Sequence, residues 1–152
     1  MAAVPPRIRH ATADDADAVA GLAEGLAQSF AFSRPSFDAH YPALLAAGHA
    51  CLLVAVTGTD TAPGDRVGYL LGFEHLTFYA NGRVAWAEEV FVRGDLRGRG
   101  IGRALMTAFE QWACGRGCAL VALATRRAAP FYHALGYRDS AAYLRKLLHE
   151  PG

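Results

Sequence analysis

A layered α/β domain on a mixed sheet is the fold class that this sequence predicts. Residues 90–106 read without a break as the end of a strand, a sharp glycine-rich turn and an amphipathic helix. Apolar segments of strand length lie on both sides of that helix, and the whole chain reads in the order β-α-α-β-β-β-α-β-α-β. The chain has 152 residues, 53% of them hydrophobic and 19% charged, enough to bury a core within one domain over residues 1–152. The sheet is expected to be mixed, mostly antiparallel in its early strands. Those flanking the glycine turn are separated by a helix and are expected parallel.

Residues 7–10 form a first short strand. Thr12 precedes Asp14, Asp15 and Asp17, which places a hydroxyl N-cap and acids where a helix start favours them. In the helix over 14–28, Ala18, Leu22 and Leu26 recur every fourth residue, with Val19 and Ala23 beside them. Residues 29–35 are aromatic and turn-like. Ser36 or Asp38 caps a second helix that runs through Ala47 and ends at Gly48. Residues 51–57 are an apolar strand, and 57–65 a loop of Gly, Thr, Asp and Pro. Strands over 66–76 and 83–92 are joined through Ala80-Asn81-Gly82, where Asn-Gly signals a hairpin. The helix over 100–113 carries Ile101, Leu105, Ala108, Phe109 and Trp112 as its apolar stripe. Residues 118–124 are apolar throughout, as in a strand covered on both faces. A short helix over 128–135 stops at Gly136, and 137–148 reads as one or two closing strands.

Composition narrows the function classes. No apolar run reaches the roughly 18 residues that cross a bilayer, and Met1-Ala2-Ala3-Val4-Pro5-Pro6 lacks the basic start and apolar core of a signal peptide. A cytoplasmic protein without a membrane partner is expected. The three cysteines have no metal-like spacing and read as small buried hydrophobes; the six histidines form no HxxxH or HxH pair, so no metal is expected. Net charge is +1, but residues 76–152 hold eleven Arg or Lys against six Asp or Glu, a net of +5. That excess suits a polyanionic cofactor and is too small and local for nucleic acid.

The glycine turn is the most informative stretch. Gly98, Gly100 and Gly102 remove the Cβ atoms that would hold a ligand off the backbone. The helix start adds unpaired N–H groups and a positive dipole end, and Arg97, Arg99 and Arg103 add full charges. The result is a socket for a phosphate or diphosphate. A P-loop would need Lys-Ser/Thr after Gly102, where Arg103-Ala104 stands. The dinucleotide fingerprint would need glycine at 103 and an acid about 20 residues on, and residues 118–127 contain none.

The pattern Arg97-x-x-Gly100-x-Gly102 directly after a strand resembles the pyrophosphate-binding motif of the GNAT superfamily of acyl-CoA-dependent N-acyltransferases. A second motif, Ala129-Pro130-Phe131-Tyr132-His133-Ala134-Leu135-Gly136-Tyr137, is similar to the terminal motif of the same family and stands about 30 residues further on, across an apolar strand. The resemblance covers residues 85–138. It implies a mostly antiparallel mixed sheet of six to seven strands with about four helices, and acetyl-CoA (coenzyme A) as cofactor. It also implies an amine acceptor and a tendency to dimerise as a homodimer.

The family's loop amides hold the coenzyme A diphosphate, which assigns Gly98 through Arg103, with Ile101 among them, to the cofactor together with Val90, Phe91 and Val92 of the preceding strand. The backbone N–H of Phe91 is expected to polarise the thioester carbonyl. Thr125 stands where many members have an Asn that contacts the pantetheine arm; it can supply one polar contact but not an amide's pair.

The chemistry needs an acceptor for the amine's proton, donors for the developing oxyanion and a proton for the leaving thiolate. Glu88, in Trp86-Ala87-Glu88-Glu89-Val90, resembles the first of the two adjacent acids that handle the amine's proton in polyamine-type acetyltransferases. Glu89 is its alternate, or a substrate ligand. Alternation puts Glu88 with Val90 and Val92 on one face and Glu89 with Phe91 on the other, unless a bulge intervenes; a solvated acid, or one paired with Arg83 or Arg103, is the competing reading. Tyr132 is the candidate general acid, since a phenol near pKa 10 and a thiolate near 8.5 are nearly matched. Phe131 reads as core, and His75 and His133 as surface residues. Phe30, Phe32, Phe37 and Tyr41 either wall an acceptor pocket, Phe32 foremost, or pack the helices on the sheet.

The expected activity is direct acetyl transfer to a primary amine of a small molecule: a polyamine, an aminoglycoside or an amino-acid-like compound. Glu88, Glu89 and Glu74 point to a cationic acceptor. A peptide or protein N-terminal acetyltransferase and a non-catalytic acyl-CoA-binding module are the alternatives.

Overall fold

A computed structural model describes residues 5–27, 29–58 and 63–150. The expectations that fall on Met1–Val4, on Gln28 at the end of the first helix and on the tip of the loop over 59–62 lie outside these residues. The elements run β1 (Arg7–His10), a 3-10 turn, α1 (Ala16–Leu26), α2 (Arg34–Ala46), β2 (Ala50–Gly58), β3 (Pro63–Thr77), β4 (Gly82–Val92), a second 3-10 turn, α3 (Ile101–Gly115), β5 (Val121–Leu123) and α4 (Ala129–Ala134). One five-stranded sheet is ordered β1-β2-β3-β4-β5. The first four strands pair antiparallel and β5 joins β4 in parallel. The β4-turn-α3-β5 unit is therefore the parallel crossover expected around the glycine turn.

Each face of the sheet carries its own core. On one face α3 buries Ile101, Leu105, Met106 and Phe109 against Leu53, Val67, Leu70, Ala85 and Ala87. Each large side chain there contributes about 1.5–3 kcal/mol on burial. The Phe109 ring lies where a Cβ on Gly72 would stand, 2.3 Å away, so glycine at 72 lets α3 seat on β3. On the other face α1 and α2 bring Val19, Leu22 and Tyr41 onto Leu52, Val54, Val56 and Tyr69. Tyr41 and Phe37 stack at 5.2 Å and Tyr41 Oη donates to the Thr12 carbonyl at 2.7 Å, so these two aromatics serve packing.

Several boundaries differ from the sequence reading. Asp15, one of the acids at the start of the first helix, is fully buried: Arg9 and Arg66 donate to its carboxylate at 2.7–2.9 Å, as does the Thr12 amide at 2.8 Å. Helix α2 starts at Arg34 because Ser33 Oγ accepts the Ser36 amide at 3.2 Å with proline in the first turn, which displaces Ser36 and Asp38 as caps. Of the cysteines only Cys51 is buried; Cys118 is half-buried and Cys114 exposed.

The largest correction concerns the C-terminal part of the sheet. β5 is three half-buried residues, not a strand covered on both faces, and it pairs only with Ala85–Ala87. Residues 137–148 contain no strand, so the sheet has five strands among the described residues instead of six to seven. So short a β5 offers few backbone groups to another strand. Side chains tie this segment down instead: Tyr137 Oη donates to Glu110 at 2.6 Å, Tyr143 stacks on Trp86 at 6.5 Å, and Arg145 donates to Ser29 Oγ at 3.1 Å.

Candidate active site at the parting of two strands

The site begins with a β-bulge. In the β3–β4 ladder Gly72 opposes Ala87 and Leu71 opposes Glu89, which leaves Glu88 as the extra residue. This one insertion has two consequences. Ala85, Ala87, Val90 and Val92 all turn to the α3 face, while Phe91 packs with the α1–α2 cluster. Glu89 follows Phe91, and the buried Tyr69 hydroxyl donates to its Oε1 at 2.6 Å. Burial and this carboxylate push the Tyr69 phenol far above its ordinary range.

The second consequence concerns the backbone. Before the bulge, odd-numbered residues turn their polar groups to β5: Ala85 N–H donates to the Leu120 carbonyl at 2.9 Å, and Arg83 O accepts from Ala119 at 2.8 Å. After it, Arg93 N–H donates to Val67 O on β3 at 2.8 Å, so Phe91, two residues earlier in an unbroken register, also bonds to β3. The Phe91 amide therefore faces β3, and the amide that faces the other side is that of Val90, in step with Val92. β5 pairs with β4 only as far as Ala87–Leu123. Beyond this, no strand pairs with Val90 and Val92 on that side among the described residues.

That edge leads into the glycine turn. Gly98 (φ +78°) and Gly100 (φ +84°) are left-handed, a conformation that costs other residues about 1–2 kcal/mol. Gly100 is the N-cap of α3, its carbonyl accepts from Ala104 at 3.0 Å, and the amides of Ile101, Gly102 and Arg103 stand at the open helix end. The Ile101 side chain is buried, so only its backbone is on offer. Arg99 and Arg103 are exposed and form no ion pair among the described residues. Arg97 has local duties, donating to Val92 O at 3.2 Å and lying 5.5 Å over the Phe91 ring. Phe131 is part-exposed rather than core; its ring meets the Gly102 backbone, with an added Cβ 3.1 Å away, which docks α4 on the start of α3.

On that docked helix Tyr132 packs edge-on to Phe131 and Tyr137 at 4.9 and 5.9 Å. Its hydroxyl makes no hydrogen bond among the described residues, and burial pushes the phenol above its ordinary value, so it is protonated at neutral pH. Thr125 Oγ1 accepts the Ala128 amide at 3.0 Å and thereby caps the turn into α4. Tyr132 and Thr125 line a cavity of about 980 Å³ beside β5, and a second of about 410 Å³ is lined by Trp86, Ala87, Glu88, Ala124, Thr125, Arg126 and Tyr143.

A family model described as an acetyltransferase (GNAT) domain matches residues 48–139, from the start of β2 to just past α4. The chain belongs to the GNAT acetyltransferase family. A thialysine N-epsilon-acetyltransferase of Bos taurus is 32% identical over 99 residues, 59% of this chain. The match spans 55% of that relative, about half its length. Among solved structures, an acetyltransferase of Trypanosoma brucei is 25% identical with a TM-score of 0.78, covering 94% of this chain and 99% of that one. The glucosamine-6-phosphate N-acetyltransferase of Arabidopsis thaliana has the same fold, with a TM-score of 0.81, 19% identity and coverage of 96% and 100%.

Within this GNAT domain the remaining predicted residues divide clearly. Glu88 is exposed in the cavity with no hydrogen bond or ion pair among the described residues, so neither Arg83 nor Arg103 neutralises it. Arg83 pairs with Glu74 at 3.2 Å, and Arg116 binds the other oxygen of that buried carboxylate and holds its pKa below the ordinary range. Glu74 is therefore structural and not a cation-binding acid of the site. His133 bonds Asp139 at 2.8 Å. Phe32 contacts Phe37 at 6.0 Å at the start of α2, away from both cavities. The sequence reading missed Trp86, Tyr143 and Arg126 beside Glu88; alternation along β4 places Trp86, but nothing local marks the other two.

Proposed function

We propose that the protein moves an acetyl group from acetyl-CoA directly to a primary amine of a small molecule. The open edge of β4 past Ala87, running from the unpaired Glu88 to the glycine turn, is the observation that carries this reading. The diphosphate of coenzyme A docks on the amides of Gly98 through Arg103, with Arg99 and Arg103 supplying charge, and the pantetheine arm adds to β4 as a short strand along Val92 and Val90. The Val90 N–H then meets the thioester carbonyl and stabilises the oxyanion. Glu88 accepts the proton of an amine whose pKa is near 10, directly or through one water. Tyr132 returns a proton to the leaving thiolate. No cysteine lines either cavity, which supports direct transfer without an acyl-enzyme.

Release of thiol from acetyl-CoA tests the reading, run with a panel of amines, amino acids and peptides. Turnover with small amines is expected, and Glu88→Gln should lower kcat by about a hundredfold with the coenzyme A Kd unchanged. Calorimetry that detects no coenzyme A at millimolar concentration would end the proposal. Turnover confined to peptides would move the acceptor class to protein N-termini, and binding without turnover on any acceptor would leave an acyl-CoA sensor.

A further inference from the structure

We infer that the acceptor is an amine that also carries an oxyanion, a carboxylate or a phosphate, and that Arg126 binds that group. The inference rests on the acetyl-transfer reading above. The cavity of about 410 Å³ at the parting of β4 and β5 holds two charged side chains of opposite sign, Glu88 and Arg126, and neither has an ion-pair partner among the described residues. Among the described residues these are the charged side chains that line this cavity; Glu89, the neighbour of Glu88, receives the Tyr69 hydroxyl, and Arg97 lies on Phe91 and Val92 O. The walls are aromatic, with Trp86 and Tyr143 stacked at 6.5 Å and 26°.

An ammonium suits the Glu88 end, where a carboxylate and ring faces both attract it. A wholly cationic acceptor would bring its second charge toward a guanidinium and be repelled. An acceptor with an oxyanion satisfies both ends at once, because the planar fork of Arg126 matches carboxylate or phosphate geometry. Arg126 is not needed for the cofactor's diphosphate, since the glycine turn already has Arg99 and Arg103 beside its amides. It follows Thr125 in the loop after β5 and lines the same cavity as Glu88, the bulge residue. A volume of this size suits a small molecule and not a folded protein surface.

The test compares acceptors that differ only in the anion. Lysine and 4-aminobutyrate are each set against their amides, and O-phosphoethanolamine against ethanolamine, with thiol release giving kcat/KM for the wild type and Arg126→Gln. The wild type should prefer at least one anionic partner by about tenfold or more, and the pair with the larger ratio identifies the oxyanion. In R126Q the ratio should fall to within about twofold, with the calorimetric Kd for coenzyme A moving less than twofold. Equal rates on every pair in the wild type would overturn the inference. So would an R126Q variant that keeps the preference, or one that loses coenzyme A affinity, which would return Arg126 to the cofactor. If no amine releases thiol, calorimetry of the coenzyme A-loaded protein with the same pairs separates the two readings: an Arg126-dependent preference keeps the pocket and discards acetyl transfer, and its absence discards both.

Discussion

Replacing Gly100 by alanine separates backbone strain from steric fit. Gly100 has φ +84° and ψ 6° and caps α3, while a Cβ added there meets nothing within 4 Å. The substitution therefore creates no clash, and its cost is that of a left-handed alanine, about 1–2 kcal/mol. Two responses are open. If the turn holds its shape, the strain falls on folding and is offset in part by the about 0.4–1 kcal/mol that alanine gains through the unfolded chain. If the turn relaxes, the amides of Ile101, Gly102 and Arg103 lose their alignment and the strain reappears as weaker coenzyme A binding, roughly 5–30-fold in Kd. Titration calorimetry and urea unfolding on the same variant measure the two shares. Gly94→Ala is the control, since its φ is not positive and its Cβ also meets nothing within 4 Å. A G100A variant that keeps both wild-type stability and wild-type affinity would refute the reasoning, as would a G94A variant just as impaired.

Two further predictions address the proton path and the fold. Tyr132→Phe keeps the ring contacts with Phe131 and Tyr137 and removes only the hydroxyl, so kcat should fall about tenfold or more in steady-state assays with coenzyme A affinity little changed; a wild-type kcat would remove its role as acid. Asp15→Asn leaves Arg9 and Arg66 facing a neutral group and should cost about 3 kcal/mol in urea unfolding, the lower end for a broken buried pair because both arginines keep about a third of their side-chain surface. Burial opposes ionisation of Asp15, but the hydrogen bonds from Arg9, Thr12 and Arg66 outweigh it and hold its pKa below the carboxylate range. Its stabilisation is thus complete above the unfolded value near 3.9 and is lost as pH falls through the lower folded value. Stability of the wild type should fall more steeply than that of D15N below about pH 4; parallel pH curves, or a cost under about 1 kcal/mol, would contradict this.

Local chemistry made much of the molecule legible in advance. The glycines at 98 and 100, the apolar stripe of α3, the Asn81-Gly82 hairpin and the pairing of two motifs about 30 residues apart each depend on neighbours in the chain, and each survives in the fold. Sequence also identified the two acids of β4, but not which of them is free, because that depends on a partner strand. The ladder with β3 puts the bulge at Glu88, and this single extra residue frees Glu88, hands Glu89 to Tyr69 and turns the Val90 amide outward in place of that of Phe91. Charge roles followed the same division. Asp15 reads in the chain as an acid at a helix start and Glu74 as a sign of a cationic acceptor, yet arginines from distant elements meet each of them in a buried position, and low dielectric makes such pairing obligatory. Nor could periodicity foretell that residues 137–148 would stay outside the sheet, since a strand needs an edge long enough to pair with and β5 provides three residues. Sequence by itself determined the elements up to α3, the glycine turn and the family resemblance; tertiary structure decided how much of the C-terminal part joins the sheet, which charges are buried, which amides are open and which aromatics wall the pocket, because those depend on register and on contacts between segments far apart in the chain.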